Sequence, residues 1–137
     1  MKKIRILSFL VILLLHTMHS SSQDINTYFY AGKGHSWLAT YSLIQVGSIY
    51  YDSLYIQYLF DPIEIPHQEE RIGPIEYILA GNSLEMSSSY PQDLKGVASF
   101  HTASAYNSDI IRITFDENIE LTISWKNNIE NFKLFKQ

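Results

Sequence analysis

The side chains best equipped for chemistry in this sequence are three histidines, three pairs of carboxylates and a large set of tyrosines. His35, His67 and His101 are the histidines beyond residue 22. A zinc site gathers several such ligands, often two at i, i+2 or i, i+4. These three are isolated, at a turn, a loop and a strand, and read more simply as solvent-facing or singly bonded. Carboxylates pair at Asp61/Glu64, Glu69/Glu70 and Asp116/Glu117. Two carboxyls at a fixed separation, one with a raised pKa, are the machinery of glycosidic hydrolysis. Loop oxygens can also hold calcium, but there is no Asp-x-Asp-x-Asp-Gly loop, and Glu69–Glu70 beside Arg71 read as a solvated connection. Ser87–Ser88–Ser89 lacks a Gly-x-Ser-x-Gly elbow. Gly32-x-Gly34 precedes a strand pattern, whereas a phosphate loop opens a helix. No cysteine is present, which excludes disulfides, thiolate zinc and iron–sulfur clusters. The sequence therefore predicts no catalytic, cofactor-binding or metal-ligating residue.

Ten tyrosines and two tryptophans are the unusual feature. Tyr28, Tyr30, Tyr50, Tyr51, Tyr55, Tyr90 and Tyr106 are more than one small core can hold. Tyrosine gives contact area at low entropic cost, so an aromatic binding surface is expected at Tyr28, Tyr30, Tyr50, Tyr51 and Tyr55. The competing reading is strand propensity alone, because Tyr suits half-buried sheet positions. Trp37, Trp125 and Glu130 are expected to be structural. The Trp125 indole covers the end of the core, and the Glu130 carboxylate, facing it in a hairpin, accepts a nearby N–H or pairs with a base.

The elements that position these residues read as strands. Trp37, Ala39, Tyr41 and Leu43 alternate with Leu38, Thr40 and Ser42; Leu54, Ile56, Tyr58 and Phe60 alternate with Tyr55, Gln57 and Leu59. Ile75, Tyr77 and Leu79 form a third set, Ile111, Ile113 and Phe115 a fourth, and Ile119, Leu121, Ile123 and Trp125 a fifth. Period-two alternation with β-branched and aromatic residues is the strand signature. No long helix is predicted beyond residue 22. A two-residue loop at Asn127–Asn128 pairs Ile123 with Phe132 and Leu121 with Leu134. A three-residue loop at Asp116–Glu117–Asn118 sets Phe115 opposite Ile119 and Ile113 opposite Leu121, completing a C-terminal meander. Seven to nine short strands predict an all-β fold, an antiparallel β-sandwich of immunoglobulin-like or similar type.

The first 22 residues stand apart. Lys2, Lys3 and Arg5 precede the apolar run Ile6–Leu15, and His16–Ser22 is polar and small. That is the layout of a secretory signal peptide, carried as an N-terminal helix, with Ser20 and Ser22 as the cleavage pair. An uncleaved membrane anchor is the alternative, although the run is short for a span of roughly 17–25 residues. The domains expected are therefore 1–22, signal, and 23–137, one folded unit. Without the three basic residues of the signal, seven Lys and Arg face fourteen Asp and Glu, a net charge near −7. Such a balance argues against nucleic acid and anionic lipid as partners.

Several segments together resemble a known group. They are Gly32–Lys33–Gly34–His35–Ser36–Trp37 with Ala39 and Tyr41, Leu54-x-Ile56-x-Tyr58, Ile72–Gly73–Pro74–Ile75–Glu76–Tyr77, and Leu94–Lys95–Gly96. The ending Leu121-x-Ile123-x-Trp125–Lys126–Asn127–Asn128–Ile129–Glu130-x-Phe132-x-Leu134 is the most specific. In these the chain resembles a family of small exported or lipid-anchored, uncharacterised β-sandwich proteins of spore-forming Gram-positive bacteria. The resemblance implies a β-sandwich and an extracytoplasmic address, and no activity. Many such proteins carry a lipid-bearing cysteine after the signal, which this chain lacks. The expectation is a noncatalytic, secreted module binding a protein or glycan at the cell envelope. The alternative is a minor extracellular hydrolase using the loop carboxylates.

Overall fold

Alternation of apolar and polar residues drives an extended chain to bury one face, and most strands among the described residues do so here. The computed structural model describes residues 24–59, 72–82, 84–107 and 118–137. The strands are β1 (Ile25–Lys33), β2 (Trp37–Val46), β3 (Ile49–Tyr58), β4 (Ile75–Ala80), β5 (Glu85–Ser87), β6 (Ser99–Asn107), β7 (Asn118–Trp125) and β8 (Asn128–Lys136). Every pairing is antiparallel, and there is no helix among the described residues.

The strands form one sheet in the order β5-β4-β7-β8-β1-β2-β3-β6, curled into a half-barrel. This departs from the two separate sheets expected of a sandwich. The two halves are joined through β8 and β1 by the rungs Tyr30↔Lys136 and Ala31↔Phe135, followed by a bond from the Gln137 N–H to the Phe29 carbonyl at 2.9 Å. The curl still brings opposite halves together. Tyr77 on β4 meets Phe100 on β6 with ring centroids 5.5 Å apart, although five strands separate β4 from β6 in the sheet. Trp37 meets Trp125 edge-on at 5.4 Å. The enclosed core includes Leu43, Leu54, Ile56, Ile75, Leu79, Leu121, Ile123 and Leu134. Each such side chain contributes about 1.5–3 kcal/mol by its burial.

Turns set the registers. Val46 pairs with Ile49 across Gly47–Ser48, and Gly47 has φ +59°, the positive φ that a two-residue hairpin turn asks of its first loop position. At the C-terminal hairpin Trp125 pairs with Asn128, so the loop is Lys126–Asn127, with Lys126 at φ +51°. The expected loop at Asn127–Asn128 is corrected by one residue and the pairing by two. Leu121 faces Phe132, Ile119 faces Leu134, and Glu130 faces Ile123 instead of Trp125. An even shift keeps every side chain on its face, so the apolar alternation could not distinguish the two registers.

The meander is also corrected. Ile111, Ile113 and Phe115 lie outside the described residues, but β7 has no edge left for them. One edge is taken by β8 and the other by β4, with Leu79 opposite Leu121 and Tyr77 opposite Ile123. Asn118, expected in a loop, already belongs to β7. A distant strand with the same apolar period outcompetes the sequence neighbour.

Candidate functional site

Tyrosine positions divide by parity along the strands, since successive side chains point to opposite faces. Tyr28 and Tyr30 on β1 and Tyr50 on β3 lie on the inner face, where Tyr30 and Tyr50 are buried. Tyr28 is half-buried, with the Lys136 ammonium 5.1 Å from its ring centre. Tyr51 and Tyr55 lie on the outer face of β3, exposed and half-buried. The five expected tyrosines therefore do not form one surface.

The outer face carries a different patch, which sequence reading did not single out. Thr27, Ile44 and Tyr51 lie in one row across β1, β2 and β3, and Ile25, Val46 and Ile49 in the next. Phe29 is diagonal to Ile44, and Phe135 pairs with Ala31 beside it. Ile25, Phe29, Ile44, Ile49, Tyr51 and Phe135 are between 36% and 64% exposed. Scattered exposed apolar residues are ordinary, whereas a contiguous group marks an interaction surface. The signal was present as the odd-numbered positions of β1 and β3, masked by attention to tyrosine alone.

On the inner face a polar cluster interrupts the core. Asp52 is only 4% exposed, between Tyr50 and Leu54 on β3. Its Oδ1 accepts a hydrogen bond from the Ser104 backbone N–H at 2.9 Å. Burial raises the Asp52 carboxyl above the ordinary carboxylate value, while the bond from the Ser104 N–H pulls it partly back. The Tyr41 phenol is raised by burial and by Tyr106 and Asp52 beside it. Tyr106 and, from the facing half, Tyr77 are raised by burial and then by Asp52. The Tyr41 and Tyr106 hydroxyls are buried without a well-formed hydrogen bond, so their coupling to Asp52 is electrostatic more than directional. This arrangement holds β3 against β6.

The remaining chemical groups are dispersed. His101 Nε2 lies 2.8 Å from Ser53 Oγ on the outer face. A Ser–His pair needs a third group to orient the imidazole and donors for an oxyanion, and this pair stands on an open sheet with neither among the described residues. His35 is exposed at the β1–β2 turn. No three His, Asp or Glu side chains converge among the described residues. His67 and the pairs Asp61/Glu64, Glu69/Glu70 and Asp116/Glu117 lie outside them.

Trp37 is fully buried, edge-on to both Tyr58 (5.0 Å) and Trp125. Glu130 reaches across to the β1–β2 turn, where its two carboxylate oxygens accept from the Ser36 N–H at 3.2 and 3.1 Å. The glycines of that segment make this contact feasible. A Cβ on Gly34 would overlap Glu130 Oε1, and a Cβ on Gly32 would overlap the Lys133 carbonyl oxygen. Comparison with known proteins finds no matching family, no curated relative and no matching solved structure.

Proposed function

We propose that this chain is an exported, noncatalytic binding domain whose partner is a protein docked on the outer face of β1, β2 and β3. The contiguous exposed patch of Ile25, Phe29, Ile44, Ile49, Tyr51 and Phe135 carries the reading. Glycan platforms stack sugars on flat rings bordered by hydrogen-bonding groups; half of this patch is isoleucine, which suits an apolar protein surface. A net charge near −7 beyond residue 22 favours a partner with a basic rim. The basic–apolar–polar layout of residues 1–22 supports export, as does the resemblance to exported Gram-positive proteins, and export favours a partner at the cell envelope or beyond it. The hydrolase alternative rests on loop carboxylates outside the described residues, and no described group adds to it.

A photo-crosslinking amino acid placed at Tyr51 in the producing cell tests the reading. The same adduct with another protein should form from Phe29, and should be absent from Glu76 and Lys133 on the other half of the sheet. Phe29→Ser should abolish the Tyr51 adduct. Absence of an adduct at both positions, or equal adducts from the control positions, would overturn it. An adduct with carbohydrate alone would move the assignment to a glycan.

A further inference from the structure

The two edges of the sheet are unlike. β5, at one end, has three residues and carries Glu85. β6, at the other, has nine residues, Ser99–Asn107, with no proline and no Lys, Arg, Asp or Glu. Proteins commonly blunt sheet edges by shortening them or by adding charge, proline or a bulge. β5 is blunted in this way and β6 is not.

The hydrogen bonds fix which β6 residues face outward. Tyr58 N–H donates to the Ala98 carbonyl, so position 98 bonds toward β3. Ser99 and Lys95 exchange both of their backbone bonds, so position 99 bonds away from β3. Alternation along an antiparallel ladder then turns the N–H and C=O groups of His101, Ala103 and Ala105 outward. Among the described residues no strand lies beyond them. An open groove of about 610 Å³ runs beside this edge, between Tyr90–Lys95 and Ser99–Thr102.

We propose that β6 pairs antiparallel with β6 of a second copy of this chain, about a twofold axis at Ala103. Ala103 then faces its own symmetry mate and His101 faces Ala105 of the second copy, which satisfies the outward groups of His101, Ala103 and Ala105 in each strand. On the inner face Phe100 falls opposite Tyr106 and Thr102 opposite Ser104. Aromatic faces aromatic, hydroxyl faces hydroxyl, and no like charges meet, which is what cross-strand pairs require. Lys95 already occupies the bonding groups of Ser99, so pairing is confined to the segment between Ser99 and Asn107, and the groove receives the end of the incoming strand. The mismatch of the two edges makes the contact isologous and closed. A head-to-tail chain would have to add nine residues of β6 to three of β5.

The absence of cysteine makes the test clean, using the full-length gene product purified as it accumulates. Ala103→Cys brings two thiols to the axis at a Cα separation of about 5.5 Å, which a disulfide spans. Ala105→Cys leaves its two thiols about 13 Å apart along the strands, out of reach. The expected result is a twice-mass species by sedimentation, oxidative crosslinking at 103 and none at 105. Ala103→Lys and Ala103→Glu should each weaken association by roughly tenfold or more, since like charges then meet at the axis. An equimolar mixture of the two should restore it, which shows that both variants are folded. A monomer at every concentration, equal crosslinking at 103 and 105, or no recovery on mixing would overturn the proposal.

Discussion

Gly32→Ala tests what joins the two halves of the sheet. A Cβ at this position would overlap the Lys133 carbonyl oxygen and lie 3.0 Å from Leu134 Cδ2. The carbonyl belongs to β8, which two rungs and the Gln137 N–H bond to the Phe29 carbonyl hold to β1 beside it. Backbone cannot swing aside as a side-chain tip does, so relief must come from parting the strands. The expected cost is at least the ~1–3 kcal/mol of ordinary overpacking, with the weakening of two rungs added. Against a typical total of ~5–15 kcal/mol, that is a large fraction. Gly34→Ala is the internal comparison. Its Cβ would meet the mobile end of Glu130, which can move away at the cost of its bonds to the Ser36 N–H. That loss is about 1.5–3 kcal/mol for a hydrogen bond to a charged group. In a Glu130→Ala background the Gly34→Ala penalty should therefore fall to what remains of the 3.0 Å approach to the Phe132 ring, whereas the Gly32→Ala penalty should persist. Urea melts of the three single and two double variants measure both couplings. If Gly32→Ala costs less than Gly34→Ala, or if Glu130→Ala rescues both equally, the account of this seam is wrong.

Three further outcomes are expected. Burial raises the Asp52 carboxyl, so its contribution to stability is full below the unfolded carboxylate value of about 3.9 and is lost as pH rises through the higher folded value. Asp52→Asn, which keeps an acceptor for the Ser104 N–H, should match wild type in acid and equal or exceed it at neutral pH in denaturant midpoints. A steeper fall for Asp52→Asn than for wild type would refute this. Leu121→Ala, fully buried, should cost ~2–5 kcal/mol, while Thr122→Ala, which loses one exposed bond from Asn131 (3.2 Å), should cost well under that; the reverse order in equilibrium melts would invert the faces of β7. Mass spectrometry of secreted protein should find a mature start near Gln23; full-length chain confined to the cytosol would refute export.

Face assignments were legible in the sequence because parity is a local property. Trp37, Tyr41 and Leu43, or Ile119, Leu121 and Ile123, need only their neighbours to declare an inner side. The same rule extends the Leu54–Ile56 face back to Asp52 and Tyr50, and so could have located the buried carboxylate. Strand partners were not legible. The Ile123 register slipped by two residues because both registers bury the same side chains. What the observed register adds, the Glu130–Ser36 bonds and the Trp125–Trp37 contact, reaches across the chain to the β1–β2 turn. Pairing β7 with β4 likewise depends on a contact more than forty residues away along the sequence, between Leu79 and Leu121.

Tyrosine richness has two physical meanings in this fold, and composition cannot separate them. Tyr50 and Tyr51 are adjacent in sequence, yet one is buried near Asp52 and Tyr106 and the other stands in the exposed apolar patch. The buried set builds a polar layer in the core that ties β2, β3 and β6 together. The exposed member joins isoleucines and phenylalanines, which tyrosine counting overlooks. A binding surface on a curled sheet is therefore better sought by asking which apolar residues lie at outward parity than by asking where a favoured residue type is abundant. By that criterion Phe29 and Ile44, neither of them a tyrosine, are the positions where substitution should separate binding from stability.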